Sequence, residues 1–80
     1  MSRQVISREA LRHLINEHLA SLPKCKHLHV LSIAHDPSRS MGSNWKIGWW
    51  GHHGTEVDRS ACDLAIDAFM RELHAKYDVE

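Results

Sequence analysis

The chain has 80 residues, with ten basic and ten acidic side chains, so its formal net charge at pH 7 is zero. That balance disfavours a non-specific nucleic-acid binder, whose affinity comes from neutralising phosphates with a basic excess. So short a chain makes one domain and buries only a little over ~60% of the surface its unfolded form exposes. Help for the core is therefore expected from a disulfide, a metal or a partner chain.

Eight histidines are the compositional oddity; they make net charge sensitive to pH between ~5 and 7. Two cysteines, Cys25 and Cys62, lie far apart, without a C-x-x-C pair. No signal-peptide pattern and no apolar run near ~18–20 residues is present, so the expectation is a cytoplasmic, non-membrane protein with both thiols reduced.

Met1 to Ile6 reads as a short lead-in. Ser7 is a good N-cap, because its hydroxyl can accept from a free N–H of the first helical turn, and Ile6 with Leu11 occupies the positions of a hydrophobic staple. Leu11, Leu14, Ile15, Leu19 and Leu22 then recur at helical spacing, with His18 on the same stripe. Pro23 disfavours helix at the preceding residue. A first helix is predicted over Arg8–Ser21.

Two strands follow, His27–His35 and Asn44–Trp50, joined by a polar loop whose ends, Asp36-Pro37 and Gly42-Ser43, are turn chemistry. All three tryptophans sit in the second strand. Pairing Asp36 near Asn44 sets His35 opposite Trp45, Ile33 opposite Ile47 and Leu31 opposite Trp49. Strict alternation then places Leu31, Ile33, Trp45, Ile47 and Trp49 on the core face. It leaves Leu28, Val30, Ala34, Lys46 and Trp50 outside.

Gly51 to Gly54 breaks the strand, and Thr55 with Asp58 resembles a capping box. Cys62, Ala65, Ile66, Phe69, Leu73 and Tyr77 form the stripe of a second helix, predicted over Glu56–Lys76. The fold class is α+β in the order α-β-β-α: a two-stranded antiparallel hairpin with both helices on one face. The core would join Leu11, Leu14 and Ile15 to Ile66, Phe69 and Leu73.

This order, the Ser43-Asn44-Trp45 opening of the second strand and the closing Lys76-Tyr77-Asp78 resemble short bacterial proteins of uncharacterised function, some of them phage-associated. The resemblance implies a small bacterial αββα domain and no particular activity.

Four groups of residues could carry chemistry. Cys25, His27, His29 and His53 (beside His52) meet where the hairpin strands begin and end, and thiolate with imidazole suits zinc, although no established ligand spacing is matched. His35-Asp36 could orient an imidazole, and Ser32, Ser38, Ser40 and Ser43 offer hydroxyls, but nothing brings nucleophile, base and oxyanion hole together. Trp50 with Lys46 and Arg39 could stack and hold a single-stranded nucleic acid or meet a protein partner. The loop Ser38–Ser43 could hold an anion through backbone amides and Arg39.

No enzyme is expected. The reading is a small binding or regulatory module acting through protein association. A homodimer is expected, because a lone two-stranded sheet is marginal and leaves two open edges. Equivalent strands could pair into a four-stranded sheet, or the outer faces could pack together.

Overall fold

The computed structural model describes residues 3–52 and 59–80. Its elements are β1 (Gln4–Ile6), α1 (Arg8–Ser21), β2 (Leu28–His35), β3 (Trp45–His52), α2 (Arg59–Lys76) and β4 (Tyr77–Val79). The class is α+β, but the order is β-α-β-β-α-β rather than α-β-β-α. The two additional strands span three residues each and pair parallel, Gln4 with Tyr77 and Ile6 with Val79. Three residues are too few for alternation to show in a sequence; the pairing exists because the fold brings the two ends together.

α1 keeps its expected bounds. The Ser7 hydroxyl accepts from the Ala10 N–H at 3.1 Å, and Leu11, Ile15 and Leu19 are buried at successive turns. The helix stops where the Leu22 N–H turns back to Leu19 O at 3.1 Å, one residue before Pro23. α2 is described from Arg59; the expected start at Glu56 and the Thr55–Asp58 capping box lie outside the described residues.

One cluster of buried side chains joins α1 to Leu28, Val30, Ile33 and Trp45 of the hairpin and to Cys62, Ile66 and Leu73 of α2. Phe69 is only half-buried, with its ring stacked on His18 at 3.7 Å. Leu14, expected in the core, and Ala65, expected on the apolar stripe of the second helix, reach solvent.

The hairpin register corrects the core assignment. His35–Trp45 and Ile33–Ile47 pair as expected, and so, further along, do His29–Gly51 and Leu28–His52. Between them the ladder slips twice around one pair, Ser32 with Trp49, and is back in the expected register at Val30–Trp50. Gly48 is thus an extra residue in β3 and Leu31 an extra residue in β2. The two irregularities cancel in register, but each turns the rest of its strand over, because side chains alternate with period two. Val30 and Leu28 therefore enter the core, and Trp50 packs against it half-buried. Leu31 and Trp49, expected inside, are 53% and 72% exposed.

The strands approach closely at the first slip, and a side chain in place of Gly48 would force Ser32 to shift. A Cβ on Gly48 would stand 2.6 Å from Ser32 Oγ.

The cysteines are not free thiols. Cys25 and Cys62 form a disulfide, with Cα atoms 5.1 Å apart and both residues fully buried. It ties the α1–β2 connection to the first half of α2. Helical and strand periodicity report which face a residue occupies, and not which residue of another element it meets; the pairing was therefore hidden from the sequence.

Candidate functional site

The most exposed aromatic of the described residues stands on the outer face of the hairpin. Trp49 and Gly51 share that face, being two residues apart with no slip in β3 between them. Leu31 leans over the same face, its Cδ1 3.2 Å from where a Gly51 Cβ would be. Lys46, opposite Ala34, is exposed on this side too. The His29 ring lies over Gly51 as well, its Nε2 2.7 Å from that Cβ position, so the surface is a tryptophan, a leucine and an imidazole flanked by Lys46. Trp49 alone presents apolar surface on the order of 150 Å².

Both strand edges next to this face are blunted. The Asn16 side chain accepts from the Val30 N–H at 2.6 Å and donates to Val30 O at 3.0 Å, so α1 occupies the backbone groups of β2 at that point. On β3, the extra residue at Gly48 interrupts the regular edge.

The expected partner residues divide. Lys46 lies on the exposed face; Trp50 does not, and Trp49 takes its place. Arg39 points elsewhere: its guanidinium donates to Gly42 O at 3.1 Å and pairs with Asp78 at 3.4 Å. Arg39 has φ 53° and Gly42 has φ 88°, so this loop is a folded turn. Asp36 organises it, accepting from the hydroxyls of Ser38 (2.6 Å) and Ser40 (2.7 Å) and from the Ser40 N–H (3.2 Å). Those donors lower its carboxyl to about 2. The loop serines thus bind the protein's own carboxylate, and Asp36 does not orient His35, whose ring meets Glu80 O at 2.9 Å.

The metal set is not assembled. The Cys25 sulfur is bonded to Cys62 and offers no thiolate, His27 is exposed in the turn before β2, and His53 lies outside the described residues. Among the described residues no group of three or more His, Cys, Asp or Glu side chains could hold a metal ion.

A buried polar cluster escaped the sequence reading. His74 of α2 stacks on Trp45 with centroids 3.9 Å apart and planes at 11°, and its Nδ1 lies 2.6 Å from Ser43 Oγ. Ser43 and Trp45 are fully buried, so this serine–histidine pair is out of reach of a substrate. Burial pushes the His74 imidazole below its usual range, the Asp36 carboxylate pulls it back up, and Arg3 lowers it further. The signal was present in the spacing: Cys62, Ile66, Met70 and His74 follow one another four residues apart along one helix face.

Two open clefts border the helices. One, of about 480 Å³, lies between Arg8 and Arg12 of α1, Leu31–Ile33 of β2 and Glu80. Arg12 is already paired with Glu9. The other, of about 430 Å³, lies between α1 and α2 over the His18–Phe69 stack, with Leu14, Leu73 and Tyr77. The second also holds Ser21, whose hydroxyl donates to the backbone carbonyl of His18 at 2.6 Å, while the His18 ring lies on Phe69. Among the described residues no helix is long and apolar enough to cross a membrane. Compared with protein-family models, with curated proteins and with solved structures, the chain matches none.

Proposed function

We propose that this chain is a small non-enzymatic binding module that acts through protein association, with the outer face of the hairpin around Trp49 and Leu31 as its contact surface. The observation that carries this reading is the 72% exposure of Trp49 on a face that no described element covers. Large aromatics left in the open mark contact surfaces more often than scattered aliphatic residues do.

A second copy is the first partner we put forward. Two such faces packed across a two-fold axis bury Trp49 and Leu31 of both chains. The face-packed arrangement is favoured over a four-stranded sheet, because Asn16 and the slip at Gly48 blunt the edges a sheet would need.

Affinity capture with the wild-type chain and with Trp49→Glu as baits tests the association reading. A protein retained by the first bait and lost from the second, further copies of this chain included, supports it. Identical sets sink it. Light scattering tests the dimer separately: a mass that stays at 9.2 kDa at every concentration removes it.

Single-stranded nucleic-acid binding is the second reading, now through Trp49 with Lys46, since this aromatic and this cation share the exposed face. Absence of tryptophan quenching by oligonucleotides at low salt, where such binding is strongest, would end it. The cytoplasmic location expected from the sequence conflicts with a persisting disulfide, because cytosolic thiols are kept reduced. Mass spectrometry of alkylated protein from cells decides which state the pair holds.

A further inference from the structure

We infer that His74 is an acid-sensitive latch, which seats the C-terminal end of α2 and β4 on the hairpin while neutral and releases them when its ring takes a proton. The latch is built around Trp45, which is fully buried. One face of its indole carries the His74 ring at 3.9 Å. Its Nε1–H donates to Tyr77 O at 3.0 Å, so the same side chain holds the last turn of α2 and the first residue of β4. Ser43 completes the socket, its Oγ 2.6 Å from His74 Nδ1 and 3.4 Å from Trp45 O. A hydroxyl has one proton. A neutral His74 with Nδ1–H donating to Ser43 satisfies the whole chain, because Ser43 then donates onward to Trp45 O.

A proton added to this ring has nowhere good to go. His74 is 6% exposed, and a cation there loses hydration without a carboxylate bonded to it. The charged groups facing it come from two other elements. Arg3, ahead of β1, donates its Nε–H to His74 O at 3.0 Å and repels a second cation. Asp36, at the end of β2, attracts it, but its oxygens already accept from Ser38 and Ser40. Desolvation outweighs that attraction, so the imidazole resists protonation in place. Below the ordinary histidine range, near pH 6.5, the ring gains by leaving the socket, and Trp45 then loses its stacking partner and the Tyr77 carbonyl together.

The sequence neighbours of His74 do not alter this account. Arg71 is engaged with Asp67 at 3.1 Å, and Lys76 lies over the Tyr77 ring at 5.5 Å. The stack of His18 on Phe69, at 3.7 Å, is the internal control, being a second histidine–aromatic contact of α2 outside this socket.

Amide hydrogen exchange of the whole chain at pH 7.5 and 5.5, corrected for intrinsic rates, tests the latch. The expected result is a loss of protection of about tenfold or more at residues 71–79 in acid, with α1 residues 11–19 changing far less. In parallel, the His74 ring followed by NMR should titrate below 6.5, as its Trp45 contacts disappear. His74→Phe keeps an aromatic on Trp45 without a titrating group and should abolish the acid response, whereas His18→Gln should retain it. Should His74→Phe fail to fold, the wild-type exchange and NMR measurements decide alone. Equal loosening of both helices, no loosening, or a protonated His74 still in contact with Trp45 at pH 5 would overturn the inference.

Discussion

The two helices are held to the hairpin by different kinds of contact. α1 presents three buried aliphatic side chains one above another, Leu11, Ile15 and Leu19, and adds the Asn16 amide on Val30. α2 relies on single points: a disulfide at Cys62, a half-buried Phe69 against His18, and His74 in its socket, with Ile66 and Leu73 between. An apolar stripe tolerates pH and redox state, because nothing in it ionises or exchanges bonds. The cystine responds to redox state and the buried His74 to pH. The same domain thus contains one helix governed by burial and one by chemistry.

Breaking the disulfide should have the largest effect. The Cys25–Cys62 bridge closes a loop with a sequence separation of 37, which in the chain-entropy account is worth about 4 kcal/mol. Urea unfolding of the Cys25→Ala, Cys62→Ala double variant is expected to show that loss, with helicity lost first from α2. A change below about 1 kcal/mol would mean that α2 has a stronger anchor than these contacts provide.

Ile15→Ala probes the other side of the comparison. Ile15 is 1% exposed, and truncation of a buried isoleucine costs about 2–5 kcal/mol. Unlike the disulfide variant, it should destabilise both helices together and equally at pH 7.5 and 5.5. Asn16→Ala should cost about 2 kcal/mol, since it strands the buried N–H and C=O of Val30. A loss no larger than that of an exposed alanine substitution such as Glu17→Ala would show that water replaces the amide.

Acid unfolding sharpens the contrast. Asp36 has a folded pKa of about 2 against an ordinary 3.8, so the folded state binds the proton less readily than the unfolded chain. Its contribution is fully present above about pH 4 and is lost as pH falls toward 2. His74 is lowered as well, but it is a base, so its neutral form is the folded one. Stability is therefore lost as pH falls through 6.5, well before Asp36 titrates. Two separate acid transitions are expected in the wild type. Ser38→Ala with Ser40→Ala should move only the lower one, because those two hydroxyls are what depress Asp36.

Ser7→Ala is the smallest expected effect, about 1 kcal/mol for loss of a helix cap. It should act on α1 alone.

Much was legible without coordinates where it depended on neighbours in the chain. α1 could be bounded from Ser7, its repeating aliphatics and Pro23, and the pairing of Trp45 and Ile47 from the turn residues at Asp36 and Asn44. Asp36 was readable as a turn residue too. These follow from local dihedral preferences and from spacing along one element. The outer face was a different matter. The sequence pointed to Trp50 there, and the structure places Trp49, because alternation holds only while the ladder has no extra residue. Gly48 marked the place, but whether a glycine in a strand becomes a slip depends on what lies across from it, here Ser32. Cys25 with Cys62 and His74 with Trp45 and Ser43 belong to the same class: each is a contact between elements distant in sequence. Residue identity by itself determined the hairpin, the first helix and the richness in titrating groups; only packing in three dimensions decided which cysteine, histidine and tryptophan would meet what, since side-chain partners are set by the relative placement of whole elements.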